Sequence, residues 1–145
     1  MSAKRFFLLL LTAGMALTGC TEDVYVMGET TEKYDYDVRA SQWEQLDDCY
    51  RAVLDVPAIT RQVVTDGKVQ VSRCYVGENN GDDIWTPLPS MRVNVTEGLD
   101  GNDFYYTTYT DFEWTTRTVY IYVTTSDLYT GDRPESMSFR VFVTQ

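Results

Sequence analysis

Histidine is absent from the chain. Its absence removes the commonest general base near neutral pH and the commonest transition-metal ligand, and with them the hydrolase triads built on histidine. Basic residues are few: 12 Lys+Arg against 22 Asp+Glu give a net charge of −10. So acidic a chain has no basic patch with which to displace counterions from nucleic acid or to hold an anionic lipid surface. After residue 17 no apolar run is long enough to span a bilayer, and there is neither an internal repeat nor a low-complexity segment. Tyrosine, by contrast, is abundant, with 11 residues, and aromatics make up 14% of the chain. An acidic sequence with that many aromatics reads as a packed domain rather than a disordered one.

The first twenty residues carry an address. Lys4 and Arg5 form a cationic start, Phe6 to Leu17 is an almost unbroken apolar run, and Leu17-Thr18-Gly19-Cys20 closes it. This is the pattern of a bacterial lipoprotein signal. Small residues at Thr18 and Gly19 admit a signal peptidase, so residues 1–19 are expected to leave as a signal peptide. Cys20 is then expected to carry diacylglycerol, its freed amine being acylated afterwards, for instance by palmitate. One acyl chain holds a protein only marginally, whereas two or three hold it almost permanently. Thr21, Glu22 and Asp23 follow. Acids directly behind the cysteine resemble the signal that sends many Bacteroidota lipoproteins to the outer face of the outer membrane; a solvated tether with chance acids is the other reading. The expectation is a lipid-anchored outer-membrane protein, facing the cell surface or the periplasm.

Residues 20–33 are polar and acidic and read as the lipidated tether, with a folded domain over 34–145. There the pattern is one of short period-2 segments separated by turn residues, at 35–40, 48–56, 68–76, 91–96, 103–114, 117–125 and 137–144. About seven such strands suit an all-β domain, a sandwich of two sheets. One stretch breaks the alternation: between Pro57 and Gly67, Thr60 is placed to cap a short helix that Gly67 ends, with Val63 and Val64 toward the core. The last third reads as a meander, with Phe104, Tyr106, Thr108, Thr110, Phe112 and Trp114 on one face of a long strand and Val119, Ile121 and Val123 continuing the core on the return.

With Cys20 assigned to lipid, Cys49 and Cys74 remain, and an exported protein meets an oxidising compartment that favours pairing them. Alternation puts both on the polar side of their strands. If those strands are neighbours, a disulfide would stabilise the fold by about 3–4 kcal/mol on the chain-entropy argument.

The segments Val56-Pro57, Ile59-Thr60, Val63-Val64, Asp66-Gly67-Lys68-Val69, Trp85-Thr86-Pro87-Leu88-Pro89, Ser126-Asp127 and Phe139-Arg140-Val141-Phe142-Val143 together resemble a group of small uncharacterised Bacteroidota lipoproteins, over roughly residues 43–145. The resemblance implies a compact β-rich lipoprotein and no reaction. The cysteine pair is not a feature of that group, so the disulfide rests on the residue argument alone.

No catalytic residue and no cofactor is assigned. Three loops are rich in Asp, Asn and Gly. In the first, Glu78, Asn80, Asp82 and Asp83 would be the ligands if calcium were bound, although turns prefer these residues on backbone grounds alone. If Phe104 and Tyr106 face inward, Tyr105 and Tyr109 face outward, and so do Tyr120 and Tyr122 on the next strand. These four form a tyrosine platform to which Trp85 would add a rim. Flat aromatics with polar edges stack on sugars or anchor protein interfaces. The reading is therefore a non-enzymatic structural or protein-interaction module of the envelope, with a glycan-binding module on the tyrosine face as the alternative. A carboxylate-dependent hydrolase comes third.

Overall fold

Alternation of apolar and polar residues gives most strands of this chain one side to bury, and two sheets are needed to cover those sides. The computed structural model describes residues 28–76, 81–98, 101–128 and 130–145. Among them are nine strands: β1 (Thr31–Val38), β2 (Glu44–Gln45), β3 (Tyr50–Asp55), β4 (Lys68–Tyr75), β5 (Ile84–Pro87), β6 (Ser90–Glu97), β7 (Asp103–Thr115), β8 (Thr118–Thr125) and β9 (Met137–Thr144). The first sheet has the order β1-β9-β4-β5 and the second β2-β3-β8-β7-β6. Every pairing is antiparallel. The protein is an all-β sandwich, as its alternation predicts. The expected signal peptide, Cys20 and most of the tether lie outside the described residues.

Val69, Val71, Phe139, Val141 and Val143 of the first sheet meet Ala52, Leu54, Val119, Ile121 and Val123 of the second in one core. Phe139 is its largest fully buried side chain and receives Trp43 edge-on, with ring centres 6.3 Å apart. The Trp43 indole Nε1 donates to the Glu135 carbonyl at 3.0 Å, so the same side chain also fastens the loop before β9. All seven expected strands are present, and two short ones are added. β2 is only two residues long, and β5 falls in the Trp-Thr-Pro segment, where proline hides strand character. The strand β1 starts at Thr31, so the last residues assigned to the tether belong to the domain.

The expected helix is α1 (Arg61–Asp66). The Val63 amide donates to the Thr60 hydroxyl at 3.3 Å, and the Gly67 amide donates to the Val63 carbonyl at 2.9 Å. Val63 is fully buried, but Val64 points outward at 42% exposure, a correction to the expectation that both valines face the core. Gly67 is required by space rather than by a left-handed backbone, because a Cβ there would lie 2.6 Å from the Thr144 carbonyl and 2.8 Å from the Val63 Cα. The helix carries the chain from β3 in the second sheet to β4 in the first, so those two strands are not neighbours.

That topology overturns the Cys49–Cys74 disulfide. Both thiols are free. Cys74 lies in β4 of the first sheet, whereas Cys49 lies in the bend just before β3 of the second, so the two belong to opposite layers of the sandwich. About 10 Å separates packed sheets, and a disulfide tolerates no more than about 7 Å between Cα atoms.

Phe139→Ala should lower unfolding stability by about 3–5 kcal/mol through lost transfer energy and a residual cavity. Gly67→Ala should lower it by about 1–3 kcal/mol through overpacking. Chemical denaturation of both variants against the unchanged chain measures each.

Candidate binding surfaces

In antiparallel ladders directly opposed residues share a face. On the second sheet Val95 opposes Tyr105, Val93 opposes Thr107 and Met91 opposes Tyr109. Farther across, Asp111 opposes Tyr122 and Glu113 opposes Tyr120. All four tyrosines singled out in the sequence therefore share the outer face of this sheet. They do not share a chemistry. Tyr105 and Tyr109 are 64% and 45% exposed. Tyr120 and Tyr122 are half-buried and tied into polar contacts: Tyr120 lies under the Arg51 guanidinium at 5.7 Å, and the Tyr122 hydroxyl donates to Glu113 at 3.2 Å. Burial, then the Glu113 bond, pushes the Tyr122 phenol above its ordinary value. Arg51 in turn pairs with Glu44 at 2.7 Å.

The apolar part of this face lies at the β6 side. Met91, Val93 and Val95 are 62%, 66% and 58% exposed, while Arg92, Asn94 and Thr96 of the same strand point inward. The usual orientation of an amphipathic strand is inverted here. β6 is also an edge, with no strand paired to its free side among the described residues. The other edges are shielded in the ways edges normally are. β1 carries Glu32, Lys33, Asp35 and Asp37; β5 is four residues long and ends in Pro87; β2 has two residues.

Trp85 does not join the tyrosines. It sits on the first sheet opposite Cys74, with the Arg140 guanidinium over its ring at 3.8 Å. Arg140 also holds Asp35 at 2.7 Å, and that bond draws the Asp35 carboxyl below its usual range. Of the calcium candidates, Glu78 and Asn80 lie outside the described residues and Asp82 and Asp83 are exposed. Among the described residues no three metal-ligating side chains cluster.

A second surface was not anticipated from the sequence. Between the sheets, at the end where β4 finishes and β9 begins, a cleft of about 840 Å³ opens, within the usual range for small-molecule sites. Its floor is the inner face of β6 and β7. Exposure along that face rises from buried Thr110 through half-buried Thr108 and Tyr106 to Phe104 at 52%. Phe104 and Tyr106 stack with centroids 6.4 Å apart. Asn94 donates from Nδ2 to the Thr108 hydroxyl at 2.8 Å. The opposite wall is the loop before β9, held by Trp43 and by the Tyr50 hydroxyl, which donates to the Thr130 carbonyl at 2.6 Å.

From the first sheet Arg73 enters the cleft and donates to the Thr110 hydroxyl of the second sheet at 3.0 Å. Two cations contact the Tyr75 ring, Arg73 at 4.4 Å and Arg92 at 3.4 Å from its centre. Burial, together with the like charge of Arg92, pulls the Arg73 guanidinium below its ordinary value against an opposing influence from Tyr75. One sequence signal was available for this site: Arg73 continues the inward series Val69, Val71, where a charge has no business in a plain core.

Comparisons with protein-family models, with curated proteins and with solved structures give no match to this chain.

Burial first, then Asp48, raises the Cys49 thiol, and burial first, then Asp83, raises that of Cys74. A raised pKa leaves less thiolate at neutral pH. Without prior reduction both thiols should accept iodoacetamide, slowly at pH 7 and faster as pH rises. Intact and peptide mass spectrometry reads the two additions, and a mass matching a closed Cys49–Cys74 bridge would contradict the topology argument.

Proposed function

We propose that this protein is a lipid-anchored, non-enzymatic interaction module of the cell envelope that docks a partner protein on β6 and the adjoining outer face of the second sheet. The observation that carries the reading is the inversion of β6. An eight-residue edge strand free of proline presents Met91, Val93 and Val95 outward beside Tyr105 and Tyr109, although an exposed apolar edge is a template for association. A partner strand added there would gain main-chain hydrogen bonds from the free edge, and its alternate side chains would pack on the valines. Glycan recognition on the same face is less well supported. Two of its four tyrosines are engaged with Arg51 and Glu113, and Trp85 lies on the other sheet.

The anchor follows from the sequence pattern ending at Cys20. Replacing Cys20→Ala should abolish palmitate incorporation and move the chain from the membrane to the soluble fraction, read by metabolic labelling and fractionation.

Docking is tested in cells with a photo-crosslinking residue at Val93 and, as a control, at Gln70 on the first sheet. The expected result is one discrete adduct to an envelope protein from position 93 and none from position 70, lost when Val95→Lys is added. A uniform smear from both positions, or an adduct indifferent to the charge, would overturn the reading.

A further inference from the structure

Arg73 and Arg92 are anomalous in an acidic chain. The ion pairs among the described residues use Arg51, Arg117 and Arg140, whereas Arg73 and Arg92, on opposite sheets, meet no described carboxylate within pairing distance. Both instead press on Tyr75, which keeps the two guanidinium carbons within about 8 Å of each other. The Arg73 Nε is buried and has no hydrogen-bond partner. A buried donor on a charged group is normally satisfied, and one that is not calls for an explanation.

Two cations that meet no described carboxylate within pairing distance stand at one end of a cleft whose floor is the stacked, half-open pair Phe104 and Tyr106. We infer that the cleft binds an acidic saccharide of the uronic-acid type. Its carboxylate accepts from Arg73 and Arg92, and its ring lies on the Phe104–Tyr106 shelf.

Guanidinium groups match a carboxylate in fork geometry and make charge-assisted bonds stronger than neutral ones. Aromatic faces suit the apolar side of a sugar ring. Thr96 lines the cleft beside the shelf and supplies a hydroxyl for the ring's edge. On the facing loop Asp132, Arg133 and Glu135 also line the cleft, offering both acceptors and a donor to sugar hydroxyls. This site is separate from the outer face of β6, so its failure and that of the docking reading are distinguishable.

The test is calorimetric titration of the full chain, purified in mild detergent, with glucuronate, galacturonate, glucose and acetate. At least one uronate should bind saturably, with glucose and acetate each about ten-fold weaker or more. Arg92→Gln changes an exposed edge residue and Phe104→Ala a half-open one, so both should keep the circular dichroism of the unchanged chain. Each should weaken the uronate about ten-fold, while Val93→Lys on the outer face should leave it unchanged. No saturable binding of either uronate to the folded chain would overturn the inference. So would acetate binding as tightly as the uronate, which would indicate a simple anion site, or an Arg92→Gln chain that keeps full affinity.

Discussion

The structure depends on a mismatch between two sheets that share one core. Where both sheets are present, Val71, Phe139, Val141, Val119 and Ile121 exclude water completely. Toward the end of the β6–β7 hairpin, exposure along the inner face of β7 rises step by step from Thr110 to Phe104. A sheet face cannot be core along part of its length and open along the rest without changing composition. Here Arg92, Asn94 and Thr96 of β6 share the face with Thr108, Tyr106 and Phe104 of β7.

The exposed outer face is a consequence of the same mismatch. Because β6 spends its polar residues on the cleft, its apolar residues are left outside, where nothing in the described chain covers them. The cleft and the apolar edge are thus two sides of one strand, and a single alternation of Met91 to Thr96 generates both.

Much of the architecture was legible because strand alternation and cap chemistry are local. The segments at 68–76, 117–125 and 137–144 could be read from period-2 valines and isoleucines. The short helix was legible from Thr60 and Gly67, whose roles depend on residues three or four positions away. Sheet membership is not local. Cys49 and Cys74 illustrate this, since the layer to which each neighbouring strand belongs depends on how α1 crosses the sandwich. β5 was hidden by Pro87. The cleft was hidden because period-2 alternation in β6 has no sign: the same pattern describes a strand with its valines in or out. Only the neighbouring sheet's extent decides between them.

The position of β9 governs how such a chain comes to exist. β9 ends one residue before the end of the sequence, yet it lies between β1 and β4, and the hydroxyls of Thr31 and Thr144, which bond at 2.9 Å, are 113 residues apart along the chain. Within the first sheet only β4 and β5 pair as neighbours in sequence. Its inner strand β9 pairs with β1 only by closing a loop that spans nearly the whole domain, at a corresponding cost in chain entropy. Topologies dominated by such distant pairings fold slowly. Until β9 is in place, β1 and β4 have no common partner, and the inward valines of β4 stay open to water.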